Sequence, residues 1–322
     1  MRMKKGMTNV NNTQMAPFQN LLVSLDLTRM DEVLIRYTSF LVKSLGAEKV
    51  RFVHVIQDAD APEEIASLYP ELERSLPELI EEELGKKLEE NFDPDIEVDT
   101  EIFVKRGSVS DLVIERAREE KVDLAILGKK TGYRGKGILS GKILRLAHCN
   151  VLFVPEAARF GLQKLQVPLD LSEFSRGALT KALEVTDKSG GEVECQYVYS
   201  LPRQYFPYMQ KVEKAEERSK KESQEACDRF IGKSIGKRSN VRCVVTHDLE
   251  GDVAESIYHR ANLNGADLVV VGSKGRTDAS SVLLGSTAEK LAGFEKSLPI
   301  LIVKRKDENT GFLEFLFGKR KG

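Results

Sequence analysis

The stretch VVVGSKGRTDASSVLLGSTAEK, residues 269–290, decides the fold class of this chain. A valine run ends on Gly272, Gly275 follows, and Gly285 with Ser286 precedes a helical pattern. Valine runs of this kind are typical of strands that are buried on both faces of a parallel sheet. A glycine loop that leads from such a strand into a helix predicts a place where backbone N–H groups converge on phosphate.

The glycines suggest a mechanism for this binding. Because Gly272 and Gly275 lack a Cβ, they permit a positive φ and a close approach of phosphate to the backbone. Gly285 would open a helix whose free N–H groups favour an anion, and Ser286 adds a hydroxyl donor. Strand-to-helix turns without a ligand also use glycine, so the spacing alone leaves both interpretations open. Neither the P-loop pattern nor G-x-G-x-x-G occurs in the chain.

The chain contains an internal repeat. DLAILG at 123–128 returns as DLVVVG at 267–272, which is 144 residues later. The same shift carries Gly107 onto Gly251, and Asp26 in LVSLDLT onto Asp170 in QVPLDLS. Self-similarity at one fixed spacing predicts a tandem duplication.

Apolar runs alternate with helical patterns in each copy. The alternation predicts an α/β fold, namely two tandem copies of a five-stranded parallel open sheet with helices on both faces. The predicted strands are 21–25, 51–56, 101–104, 124–127 and 151–154 in the first copy, and 165–169, 193–199, 241–245, 267–271 and 300–303 in the second.

Composition excludes several classes of protein. The 322 residues are 41% hydrophobic and 31% charged, which is ordinary for a globular protein and excludes a mainly disordered one. Lys plus Arg (49) nearly balance Asp plus Glu (50), so we expect no nucleic-acid partner. No apolar run approaches the roughly 20 residues that span a bilayer, and the start does not resemble a secretory signal. We therefore expect no transmembrane segment and a cytoplasmic location.

The cysteines and histidines do not form a recognisable metal site. The four cysteines contain no C-x-x-C pair, and Cys195 and Cys243 within strand-like runs are interpreted as small buried residues. The histidines are isolated from one another, so we expect no metal on protein side chains.

The chain resembles the universal stress proteins. Gly272, two residues, Gly275, nine residues, and Gly285 with Ser286 match the G-x2-G-x9-G-[ST] motif of the ATP-binding members. VPLDLS at 167–172 is similar to the family's proline-x-aspartate signature. The resemblance implies a Rossmann-like, adenine nucleotide alpha hydrolase-like fold. It also implies domains at 18–156 and 162–305, between an N-terminal extension at 1–17 and an apolar, basic tail at 306–322.

The resemblance also implies a ligand, which is ATP, or AMP or ADP, with Mg²⁺ held mainly by the phosphates. Asp170 would face the base and ribose, and Val198 would offer backbone groups to the adenine. The implied site residues are Pro168, Asp170, Val198, Gly272, Gly275, Gly285, Ser286 and Thr287. Asp170 could instead form an Asx turn or helix cap, and Val198 could be plain core. Lys274 and Arg276 could add positive charge, but we interpret them first as solvated loop residues.

The first copy departs from the motif. Gly137 aligns with Gly285, and Ile138 stands where Ser286 would supply a hydroxyl. The loop between Gly128 and Gly137 is four residues shorter than its second-copy counterpart. We expect one competent nucleotide site, in the second half.

The resemblance implies a sensor or regulator of stress physiology, and we identify no catalytic residues. Two alternatives stay open: a slow ATP hydrolase or phosphotransferase, and an interaction module whose cleft is vestigial. The resemblance also implies that the apolar fifth strands pair domains, as an intrachain pseudo-dimer or a homodimer, and an uncovered apolar edge would otherwise be a liability. The tail at 306–322 is expected to dock on a domain or to bind a protein partner, with a membrane surface as the less favoured alternative.

Overall fold

The computed structural model of the protein describes residues 16–57, 70–130, 138–201, 212–249, 251–276, 284–294 and 297–305. In the first half the elements are β1 (Asn20–Leu25), α1 (Met30–Leu45), β2 (Lys49–Ile56), α2 (Pro70–Asn91), β3 (Asp99–Arg106), α3 (Val109–Glu119), β4 (Leu124–Lys129), α4 (Ile138–Leu146) and β5 (Asn150–Pro155). In the second half they are β6 (Lys164–Leu169), α5 (Glu173–Ser189), β7 (Glu192–Tyr199), α6 (Val212–Ile235), β8 (Val241–His247), α7 (Val253–Asn264), β9 (Leu268–Gly272), α8 (Ser286–Gly293) and β10 (Ile300–Val303). The predicted α/β alternation and each of the predicted strands are confirmed.

The two halves share one sheet. Its strand order is β3-β2-β1-β4-β5-β10-β9-β6-β7-β8. Within each half the strands are parallel, whereas β5 and β10 run antiparallel, with Leu152 opposite Leu301. The apolar fifth strands of the two predicted five-stranded sheets cover each other's edges and join the sheets within one chain.

Helices cover both faces of the sheet. One core layer packs α1, α2, α5 and α6 against the sheet, and the other packs α3, α4, α7 and α8. Leu152 and Leu301 lie in the first layer, and Phe153 and Ile302 lie in the second. Each layer includes residues from both halves, so the core is continuous across the joint. Among the described residues, no helix combines the length and apolarity that a membrane crossing requires.

One cysteine prediction is wrong. Cys195 and Cys149 are free and buried, and burial raises the pKa of each thiol to about 12. Cys243, however, is not a small core residue, because it forms a disulfide with Cys227 of α6. The bond links a helix to the outermost strand of the second half. The sequence around Cys243 could not indicate this disulfide, because Cys227 reaches β8 only through the packing of α6 against that strand.

Candidate functional site

A cleft of about 460 Å³ opens at the carboxyl ends of β6 and β9. β6 lies between β9 and β7, where the strand order of the second half reverses, and such switch points form crevices in open α/β sheets. Pairing between β6 and β9 ends with Gln166 opposite Val269. In the first half, β1 and β4 stay paired two residues further, to Ser24 opposite Leu127. The second half is therefore more open at its switch point.

Pro168 explains why these strands separate. The Lys164 carbonyl accepts the Asp267 N–H from the β9 side at 2.8 Å. Because alternate residues of a strand face the same neighbour, Pro168 also faces β9. Proline has no N–H to donate, so the ladder cannot continue there. Ser24 occupies the equivalent position in the first half and keeps its N–H.

The Val198 carbonyl is directed toward the cleft. The Tyr199 carbonyl accepts the Asp248 N–H at 2.8 Å from the β8 side, so its neighbour Val198 faces the β6 side. β6 ends at Leu169, and Leu171 has turned out of the sheet with a φ of 65°. The Val198 carbonyl thus extends past the last pairing residue of β6, where an acceptor is available to a ligand.

Gly272 allows two segments of backbone to pack closely. Neither Gly272 nor Gly275 uses the positive φ that glycine permits. A Cβ on Gly272 would lie 2.8 Å from the backbone carbon and oxygen of Phe174. Glycine is required because α5 begins directly against the end of β9.

Gly275 and Gly285 form the two sides of a closed loop. The Gly285 N–H donates to the Ser273 carbonyl at 2.8 Å. A Cβ on Gly285 would lie 3.2 Å from Lys274 Cα and 3.3 Å from the Gly275 nitrogen. The absence of these side chains brings the backbone after β9 against the start of α8. The intervening residues 277–283 lie outside the described part of the chain.

Asp170 holds this loop in place. Asp170 Oδ1 accepts the Ser172 N–H at 3.0 Å and the Ser172 hydroxyl at 2.6 Å. Its Oδ2 accepts the Arg276 N–H at 3.0 Å. The Asx-turn alternative is therefore present in the structure, and the same carboxylate also connects β6 to the loop after β9.

The N-terminus of α8 completes the cleft. Gly285 precedes the helix with a φ of −65° and provides no capping side chain. Ser286 is exposed and Thr287 is half-buried, both at the cleft wall. The first-turn N–H groups of a helix favour an anion, and here they face a cavity that an anion can enter.

The two basic residues of the loop, Lys274 and Arg276, differ in their exposure to solvent. Arg276 is exposed, as expected for a loop residue. Lys274 is only 7% exposed, so its interpretation as a solvated residue is wrong. Its ammonium lies 5.7 Å from the centre of the Phe174 ring, and the same ring also contacts Arg305. Lys274 thus places a buried positive charge beside the glycine loop.

Ion pairs lie at the equivalent place in the first half. Lys130, which aligns with Lys274, pairs with Asp26, and Lys87 pairs with buried Asp31 at 3.1 Å. Burial alone would raise the pKa of Asp26, but hydrogen bonds from Lys130 and Thr28 and the lysine charge together lower it. Burial raises the pKa of Asp31. Gly135 and Gly137 lie outside the described residues, and α4 begins at Ile138.

The sequence-predicted site residues all line the cleft of the second half. They are Pro168, Asp170, Val198, Gly272, Gly275, Gly285, Ser286 and Thr287. Sequence reasoning missed Gln196 on its floor, and Val253 and Ile257 of α7 on its wall. Ordinary apolar spacing conceals the last two, whereas a glutamine inside a buried strand is a signal that could have identified Gln196.

Comparisons with known proteins agree with this architecture. The model of the universal stress protein family matches residues 17–155 and again residues 161–304. The chain belongs to the universal stress protein family. A universal stress protein of Methanocaldococcus jannaschii is 32% identical over 144 residues, which are 44% of this chain and 82% of that protein.

Solved structures share the fold of this universal stress protein. A universal stress protein from Archaeoglobus fulgidus superposes with a TM-score of 0.60 at 18% identity, over 91% of this chain and 98% of that one. A functionally unknown protein from Pseudomonas aeruginosa gives a TM-score of 0.62 at 17% identity, over 94% and 98% of the two chains. Each superposition spans nearly the full length of both chains, so the two structures share the tandem architecture.

Proposed function

We propose that this universal stress protein binds ATP, or another adenine nucleotide, in the cleft of its second half and acts as a sensor or regulator in the stress response. The observation that carries the proposal is the convergence of the glycine loop, the α8 N-terminus and the Val198 carbonyl on one cavity. The domain bounds 18–156 and 162–305 and a cytoplasmic location belong to the proposal. A pairing of two chains and a partner for the tail at 306–322 stay predictions.

The base subsite would select an amino group. A carbonyl accepts hydrogen bonds and cannot donate them, so the Val198 carbonyl suits the 6-amino group of adenine. Guanine carries an oxygen at that position, and two acceptors would then face each other. The apolar side chains Val253 and Ile257 line the wall beside this carbonyl and suit the face of a purine.

The phosphates would lie between Gly275, Gly285 and the first turn of α8. Backbone N–H groups and the Ser286 and Thr287 hydroxyls are donors that suit phosphate oxygens. Lys274 supplies a positive charge on the same side. A Mg²⁺ ion would be held mainly by the phosphates and would neutralise part of their charge.

Asp170 would orient the ribose. Its Oδ2 accepts one hydrogen bond, from Arg276, and a carboxylate oxygen can accept a second from a sugar hydroxyl. Both carboxylate oxygens of Asp170 already accept hydrogen bonds, which favours a holding role over that of a catalytic base.

A titration with ATP, AMP and GTP tests the proposal. ATP at 100 times its dissociation constant should stabilise the protein by about 2.7 kcal/mol, and GTP should stabilise it less. Gly285→Ala should weaken ATP binding by roughly tenfold or more, because its Cβ intrudes on the loop. Gly293→Ala is the matched control, since the added Cβ meets open space at the other end of α8.

Two results would contradict the proposal. Wild-type protein that shows no stabilisation at millimolar ATP would favour an interaction module with a vestigial cleft. Equal ATP affinity in Gly285→Ala and Gly293→Ala would place the nucleotide elsewhere. Mass spectrometry of the nucleotide released from purified, denatured protein would identify the native ligand.

A further inference from the structure

A buried amide pair lies at and beneath the floor of the cleft. Gln166 of β6 and Gln196 of β7 are both 0% exposed. Gln166 Nε2 donates to Gln196 Oε1 at 3.1 Å. Gln196 Nε2 donates to Thr246 Oγ1 at 3.1 Å and to the Ser256 carbonyl at 3.2 Å. The two side chains thereby connect three neighbouring strands to α7.

The first half builds the same region from apolar residues. Leu22 aligns with Gln166, and Leu112 aligns with Ser256, by the shift of 144 residues. Val53 is equivalent to Gln196, because Ser24 pairs opposite Val53 as Pro168 pairs opposite Gln196.

Leu22, Val53 and Leu112 pack in one hydrophobic cluster. The fold therefore forms without the amides.

The amide pair is less favourable for the stability of the core than apolar side chains of similar size would be. Within the described part of the chain, Gln166 Oε1 has no hydrogen-bond partner. Buried polar groups that are only partly satisfied are less favourable than well-packed apolar side chains. Since the first half solves the same packing problem with Leu22 and Val53, stability does not explain why the second half carries glutamines. Such local departures from the rules of packing are expected at functional sites.

The pair is placed to control the base subsite. Gln196 precedes Val198 by two residues on β7, and both line the cleft. Ser256, whose carbonyl Gln196 holds, lies on α7 between Val253 and Ile257, which form the cleft wall. The hydrogen bond thus sets the spacing between the Val198 carbonyl and this wall.

We propose that Gln166 and Gln196 are positioning residues for the purine base. They hold α7 at the distance from the end of β7 that a flat aromatic ring requires, and they determine the preference for an adenine base. This inference rests on the proposed function. It assigns the pair no role at the phosphates, which are bound at the loop after β9 and at the start of α8.

The double variant Gln166→Leu/Gln196→Val tests the inference by copying the residues of the first half. Three ligands separate the subsites: ATP, GTP, and inorganic tripolyphosphate as a probe of the phosphate loop alone. We expect ATP affinity to fall by roughly tenfold or more and the preference for ATP over GTP to shrink, while tripolyphosphate affinity stays unchanged. A loss of fold would weaken all three ligands together. Gln163→Leu, an exposed change at the amino end of β6, should alter none of them.

The outcomes separate the two proposals. Wild-type protein that binds neither ATP nor tripolyphosphate overturns the proposed function, and this inference with it. A folded double variant that keeps the wild-type ATP affinity and ATP-to-GTP ratio overturns the inference alone. Should the double variant not fold, Gln196→Met removes the donor to the Ser256 carbonyl with little change in volume. The same loss of ATP preference would support the inference there, and an unchanged preference would overturn it.

Discussion

Asp170 Oδ2 accepts a hydrogen bond from the backbone N–H of Arg276 at 3.0 Å and so connects the end of β6 to the loop after β9. At the equivalent place in the first half, Asp26 pairs with the side chain of Lys130. The Asp170 arrangement uses a backbone donor and lies beside the open cleft. The Asp26 arrangement uses a side-chain donor instead.

Replacing Gly272 by alanine should destabilise the protein more than the same change at Gly128. The added Cβ at 272 lies 2.8 Å from Phe174 backbone atoms, whereas at 128 it lies 2.6 Å from Cγ of the flexible Met30 side chain. A side chain can move aside and a helix backbone cannot, so the Gly272 variant should lose about 1–3 kcal/mol more. Urea unfolding of both variants measures the difference, and equal losses would argue against the tight contact.

The acid stability of the first half should depend on Asp26. Because the pKa of Asp26 is lowered in the folded protein, it contributes stability above its unfolded pKa that is lost as the pH falls through the folded pKa. Asp26→Asn should therefore flatten the rise of the free energy of unfolding with pH in the acidic range. Urea unfolding at a series of pH values between about 2 and 6 measures this slope.

Asp31→Asn is a control that should change the slope of the free energy of unfolding with pH in the opposite direction. Burial raises the pKa of Asp31, so its contribution is present below the unfolded pKa and lost as the pH rises through the folded pKa. Removing it should steepen the same slope. Parallel changes in the two variants would contradict the opposite directions of these two pKa shifts.

The sequence alone predicts the elements and the site but not what packing brings together. Apolar runs around Val23 or Val270 indicate buried strands, since the pattern is local. The G-x2-G-x9-G-S spacing likewise identifies one cleft edge. Burial of Lys274 depends on the position of Phe174 in space, and the Cys227–Cys243 bond depends on how α6 lies on β8. Neither arrangement can be recognised from the residues that are adjacent in the sequence.

Reduction of the Cys227–Cys243 disulfide should lower the stability of the second half. The bond closes a loop with a sequence separation of 16, and cross-links of this size stabilise proteins by about 3 kcal/mol. Thermal unfolding with and without dithiothreitol measures the loss. The double variant Cys227→Ser/Cys243→Ser should not respond to the reductant. A wild-type protein equally indifferent to it would contradict the cross-link.

Two cysteines placed opposite each other at the centre of the joint between the halves should form a disulfide. Leu152 and Leu301 are opposite each other on antiparallel strands and lie in the same core layer. Opposed residues of this kind have the Cα separation that a disulfide needs. Leu152→Cys/Leu301→Cys should therefore form an intrachain bond on mild oxidation, as detected by mass after digestion.

The matched control shifts one cysteine by a single residue. Phe153 lies in the opposite core layer, so Phe153→Cys/Leu301→Cys should not cross-link within a chain. Equal yields from both pairs, or bonds only between chains, would contradict the register of the joint.

Native mass spectrometry of the full chain with ATP tests the central claim most directly, because it counts the ligands bound to each molecule. At an ATP concentration near the wild-type dissociation constant, we predict at most one ATP for each wild-type chain, a much lower occupancy in Gly285→Ala, and the wild-type occupancy in Gly293→Ala. A wild-type chain that binds no ATP, or a Gly285→Ala chain with the occupancy of the wild type, would contradict a single nucleotide site in the second half.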